Sequence, residues 1–129
     1  MGVSTFDEHS VQTDQLFLDS TTTTVFQAIS GFPDADNRID CLLLTSNSAT
    51  PHVVELAMDI GGLKVPLGQV TVPALAGTPG VPAVDAVALL APAAVGGFIL
   101  QAGHNLFGRV TVTLTGGDTI LGLAMGGKF

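Results

Sequence analysis

Few residues in this 129-residue chain have the types and spacing that chemistry needs. Asp34, Asp36 and Asp40, with Asn37, put alternate side-chain oxygens in a turn, an arrangement that can hold calcium. The set is incomplete. Arg38 stands where another oxygen is wanted and no later Glu closes the shell, so a solvated turn is the better reading. His52 and Glu55 are three apart on an alternating segment and point to opposite faces, which prevents that pair from chelating one ion. His104 follows Gly103 at an expected corner and reads as a turn or interface residue. No nucleophile elbow, P-loop or dinucleotide fingerprint occurs, and no strand bunches two His and a Glu as a cupin enzyme would. Cys41, in Ile39-Asp40-Cys41-Leu42-Leu43, reads as an inert core thiol on a strand. The expectation is a protein that is no enzyme and uses no cofactor, metal or small-molecule substrate.

The elements that would position such residues are short strands between Gly- and Pro-rich turns. Residues 21–29 are dense in β-branched and aromatic side chains and read as strand. Residues 31–37 are turn chemistry, and residues 38–45, apolar on both faces at Leu42, Leu43 and Leu44, read as a mid-sheet strand. Next, Val54, Leu56, Met58 and Ile60 alternate with Val53, Glu55, Ala57 and Asp59. Gly61-Gly62 then makes a tight hairpin to Leu63, Val65 and Leu67, because glycine takes positive φ without a Cβ clash. Pro66 and Pro73 mark this fourth strand as an edge, or as ending early. Residues 82–90 suit one short helix closed by Pro92.

Residues 98–100 read as a short strand before a corner at 101–104. Val110, Val112 and Leu114 alternate with Thr111, Thr113 and Thr115, Gly116-Gly117-Asp118 turns the chain, and Leu121, Leu123 and Met125 complete a hairpin. The sum is all-β: a jelly-roll-like β-sandwich of seven to eight strands with one short helix, over residues 21–129. Residues 1–20 are polar and acidic and read as an extended N-terminal arm, with Leu16, Phe17 and Leu18 anchoring it on a partner.

Composition narrows the function by exclusion. With 47% apolar residues, 12% charged and 16 glycines, the chain can build a core and is not a disordered one. Eleven Asp and Glu against four Lys and Arg give a net charge of −7, which argues against nucleic acid, because phosphate contacts need clustered cations. There is no Trp or Tyr to stack on bases or sugars. Residues 1–20 contain no Lys or Arg and are not a signal peptide, while residues 86–100 are too short and too broken by Pro92 and Gly96-Gly97 to span a bilayer. A soluble protein with no membrane partner is expected. Threonine-rich, weakly charged outer faces can pack against another copy without desolvating charge. The apolar C-terminal residues Leu121, Leu123, Met125 and Phe129 are the expected subunit interface.

The run Phe98-Ile99-Leu100-Gln101-Ala102-Gly103-His104-Asn105-Leu106, then residues 110–114, then Gly117-Asp118-Thr119-Ile120, resembles small jelly-roll decoration (cement) proteins of tailed-bacteriophage capsids. Residues 21–29, ahead of a Pro/Asp-rich turn and an apolar strand, are similar to them too, so the likeness covers residues 21–129 in pattern. The resemblance implies a homotrimer on the capsid exterior of the virion, made in the host cytoplasm and bound to the major capsid protein. Residues 1–20 would reach across neighbouring subunits, and three such arms would sum modest contacts into stable attachment. No catalytic residues come with the resemblance. Receptor-binding or fibre-tip modules, and other head–tail structural components, are the alternative, because similar folds serve them as well.

Overall fold

The computed structural model describes residues 11–29, 37–90, 98–100 and 105–128. They form β1 (Val11–Leu18), β2 (Gln27–Ile29), β3 (Asn37–Ser46), β4 (His52–Ile60), β5 (Leu63–Val72), β6 (Val84–Asp85), α1 (Ala86–Leu90), β7 (Phe98–Leu100), β8 (Asn105–Val110) and β9 (Ile120–Lys128). All strand pairs are antiparallel. The first sheet has the order β1-β9-β3-β6, with β7 also on β3; the second has the order β2-β8-β4-β5. The molecule is a β-sandwich. Alternation sends Leu16, Leu18, Leu42, Leu44, Ile120 and Ala124 inward from the first sheet. They meet Ile29, Val54, Leu56, Val70, Leu106 and Val110 from the second.

Several features follow from local chemistry. Gly61 (φ 61°) and Gly62 (φ 88°) form the two-residue turn between β4 and β5, a conformation that the right-handed strand twist favours. Pro66 sits on β5, an edge strand, where a missing N–H costs no ladder bond. A β-bulge beside it pairs Gly68 with Leu56 and Pro66 with Ala57, leaving Leu67 as the extra residue. Helix α1 is one turn long and follows β6 directly, shorter than the span from 82 suggested.

Three expectations are corrected. The stretch 21–29 is strand only from Gln27. Asp19 Oδ1 accepts hydrogen bonds from the Thr21 (2.9 Å) and Thr22 (3.1 Å) amides, so the threonines satisfy themselves in a turn instead of a ladder. The 110–125 hairpin does not exist. β8 ends at Val110 in the second sheet and β9 starts at Ile120 in the first, with residues 111–119 crossing between them. Val112, which alternates with the threonines in the sequence, is 71% exposed.

The third correction concerns the arm. Residues 11–18 are strand β1, paired with β9 from Val11 opposite Gly127 to Leu18 opposite Ile120. Leu16 and Leu18 are fully buried, which removes both from any surface anchor; Phe17 alone of the triplet is exposed. The domain therefore begins before residue 21. Adding β1 and the very short β6 brings the described strands to nine, above the expected seven to eight.

Candidate functional site

The strand register assembles an apolar surface on the outer side of the first sheet. Phe17 lies opposite Leu121, which lies opposite Thr45; Gln15 lies opposite Leu123, which lies opposite Leu43; and Met125 lies opposite Cys41. Because neighbouring positions on each strand turn into the core, these must turn out. Phe17 is 50% exposed, Leu121 47% and Leu123 40%. Between the side chains of Gln15, Leu43, Thr45, Ala83, Leu121 and Leu123 lies an open groove of about 340 Å³ with no ionisable group in its lining.

Leu121 and Leu123, placed in a subunit interface on sequence grounds, thus share one exposed face with Phe17. Met125 is half-buried at its margin, and Phe129 lies outside the described residues. Cys41 is half-buried on the same face instead of sitting in the core. Burial first, then the carboxylates of Asp85 and Asp40, push its thiol above the ordinary value, which keeps it neutral and a poor nucleophile. Asp85 itself is tied up. Its Oδ1 accepts from the amides of Val87 (3.1 Å) and Ala88 (3.5 Å) at the start of α1 and from Leu42 (3.2 Å) on β3.

The outer side of the second sheet is ionic by contrast. Arg109 donates from Nε (2.8 Å) and Nη2 (2.6 Å) to Glu55 Oε1, its cross-strand partner, and its guanidinium lies 4.4 Å from the Phe26 ring centroid. Lys64 Nζ lies 4.5 Å from the centroid of Phe107. Both cations are engaged within the molecule.

One polar cluster escaped the sequence reading. Ser48 Oγ donates to Asp118 Oδ2 (2.9 Å) and lies 2.9 Å from His52 Nε2 and 3.2 Å from Thr50 Oγ1. The residue types suggest a nucleophilic triad, but the order is wrong. In a triad the imidazole stands between hydroxyl and carboxylate, whereas here the hydroxyl stands between the other two. Ser48 is also only 1% exposed. The cluster is a clamp between the β3–β4 and β8–β9 connections, reinforced by Asn47, whose Oδ1 accepts from the Thr119 amide (2.6 Å) and whose Nδ2 donates to the Gly117 carbonyl (3.1 Å). Sequence spacing could not reveal it, since Asp118 is 70 residues from Ser48.

Among the described residues, no three His, Cys, Asp or Glu side chains come together as metal ligands. Asp40 is exposed, while Asp34, Asp36 and His104 lie outside the described residues. No described helix is long and apolar enough to cross a membrane.

No family model matches the sequence, and no curated protein matches it. Among solved structures, the chain is similar to the core of Drosophila NLP, a crystal structure described for pentamer formation and histone binding. The likeness covers 91% of this chain and 97% of that one, at 13% identity and a TM-score of 0.45. A likeness at that level carries no argument about function.

Proposed function

We propose that this chain is a structural virion protein that decorates and cements the outside of a tailed-phage capsid, binding major capsid subunits as a homotrimer. The observation that carries the reading is the outer face of the first sheet: exposed Leu121 and Leu123 line a groove free of ionisable side chains, and exposed Phe17 lies beside Leu121. Such a face loses water on contact at no cost in desolvated charge, which suits packing between subunits. The net charge of −7 suits a position on the shell exterior, away from packaged DNA. The phage setting rests on the resemblance of residues 21–129 in pattern to cement proteins. With β1 held in the sheet, multivalent attachment comes from three copies of the whole domain and not from 20-residue arms.

The test is the mass of the purified protein by light scattering at micromolar concentration, followed by co-sedimentation with capsids that lack it. A mass near three chains and saturable binding to capsids are expected. A monomer overturns the trimer, and a trimer that leaves capsids bare but attaches to host cells favours a fibre-tip module instead.

A further inference from the structure

A ring of three copies cannot be closed by one patch meeting itself across a two-fold axis. Each contact joins two different surfaces of the chain. The outer face of the first sheet is one of them, so a second surface must exist elsewhere on the same molecule.

The β4–β5 hairpin provides it. Cross-strand pairing sets Ile60 opposite Leu63 and Met58 opposite Val65. These positions continue the row that farther along carries Val54, Leu56 and Val70, all buried in the core. Towards the tip the row opens to solvent: Met58 still packs against the core, whereas Leu63 is 72% exposed and Ile60 and Val65 are more than two-fifths exposed. The hairpin thus carries its core face beyond the end of the sandwich. Gly61 and Gly62 keep the tip narrow, with no atom of the other described residues within 4 Å of where a Cβ would stand.

Charge and size both match this tip to the groove. Copies carrying −7 each repel, so they approach best where neither side presents a carboxylate. The groove lining has none. On the hairpin, Asp59 lies opposite Lys64 in the strand register, on the other face from the Ile60–Leu63–Val65 row. The groove, at about 340 Å³, is roughly twice the ~150 Å³ cavity known to accept a benzene ring. That is room for Leu63 together with a neighbour. The remaining exposed apolar residues among those described, Val25, Leu75, Leu89 and Val112, are single side chains on separate loops or on α1.

We infer that the second copy's β4–β5 hairpin, led by Leu63, docks in the groove beside Leu121 and Leu123, making a head-to-tail ring; this rests on the trimer proposed above. Two variants test it, Leu123→Asp in the groove and Leu63→Asp on the hairpin, with light scattering for mass and circular dichroism for folding. Both residues face solvent, so both variants are expected to remain folded. Each alone is expected to be a monomer, while an equimolar mixture at high micromolar concentration is expected to form dimers, because each variant keeps the half that the other has lost.

A wild-type monomer overturns the trimer reading itself. A wild-type trimer that persists in Leu63→Asp overturns only the head-to-tail contact, as does an equimolar mixture that stays monomeric. Should either variant unfold, the milder Leu63→Ser and Leu123→Ser pair gives the same readout.

Discussion

Leu16 on β1 and Gly108 on β8 meet across the interior of the sandwich: a methyl group on Gly108 would lie 2.8 Å from Leu16 Cδ2. On the near side, a methyl on Gly122 of β9 would lie 3.0 Å from Leu16 Cβ. One glycine from each sheet therefore shapes the slot that Leu16 fills. Leu16→Ala is expected to cost about 2–5 kcal/mol in urea denaturation, through lost burial and the cavity left behind. Gly108→Ala overfills the slot and is expected to cost about 1–3 kcal/mol. The two together should cost less than their sum, since the smaller side chain makes room for the added methyl. Strictly additive effects would mean that the two residues do not share the slot.

Removing residues 1–20 takes β1 with them and strips the β9 edge of its partner. The expected result is loss of the cooperative unfolding transition, measured by circular dichroism during a thermal melt. A truncated chain with an unchanged melt would return these residues to the role of a detachable arm.

Asp85 caps α1 and at the same time satisfies the Leu42 amide, where β3 lies between its pairings with β7 and β6. Asp85→Ala is expected to lose about 1–2 kcal/mol, and Asp85→Asn, which keeps the acceptor oxygen, much less. Equal losses in the two variants would show that the carboxylate charge, and not the hydrogen bonds, carries the effect.

Ser48→Ala leaves the Asp118 carboxylate and the Thr50 amide short of a partner and is expected to destabilise by about 1–3 kcal/mol. A fluorophosphonate probe, which labels activated serines, is expected to leave Ser48 unmodified in the folded protein. Stoichiometric labelling would make the cluster a reactive site after all.

Cys41 and Asp19 bend the pH dependence in opposite directions. Burial, then Asp85 and Asp40, raise the Cys41 thiol, so its contribution is complete below the ordinary thiol value and is lost as the pH climbs through the raised one. Alkylation of the folded protein at mildly alkaline pH should be slower than that of the unfolded chain, and Cys41→Ala should flatten the alkaline fall in stability. Asp19 is lowered, first by the Thr21 hydroxyl and then by the Thr21 and Thr22 amides. Its contribution is complete above the ordinary carboxylate value and fades as acid protonates it, so Asp19→Asn should remove a small acid-side dependence.

The β4–β5 hairpin was legible because two independent signals agree there: strict alternation on both sides and a glycine pair between them. β1 was not. Among its described side chains the buried ones are Leu16 and Leu18, and the sequence Gln12, Thr13, Asp14 and Gln15 gives no apolar alternation before them. The Val/Thr run after residue 110 misled in the opposite way, for its pattern is that of a strand while the chain is leaving one sheet for the other. Which strands neighbour one another decides that, and local pattern cannot express it. The same limit governs the candidate face: Leu121 and Leu123 were readable as apolar, but their pairing with Phe17 depends on a register between strands a hundred residues apart.

The order β1-β9-β3 places the described strand farthest along the chain between two of the earliest. Until residues 120–128 are in place, β1 has no described strand to pair with and β3 lacks its longest partner. The first sheet therefore closes only when segments from opposite ends of the domain meet, and contacts so distant along the chain place folding on the slow, millisecond-to-second side for a domain of this size. A cell making many copies at once holds a pool of incomplete chains with Leu16, Phe17 and Leu18 uncovered, and the chaperone demand of such a pool is set by the time β9 takes to arrive and pair.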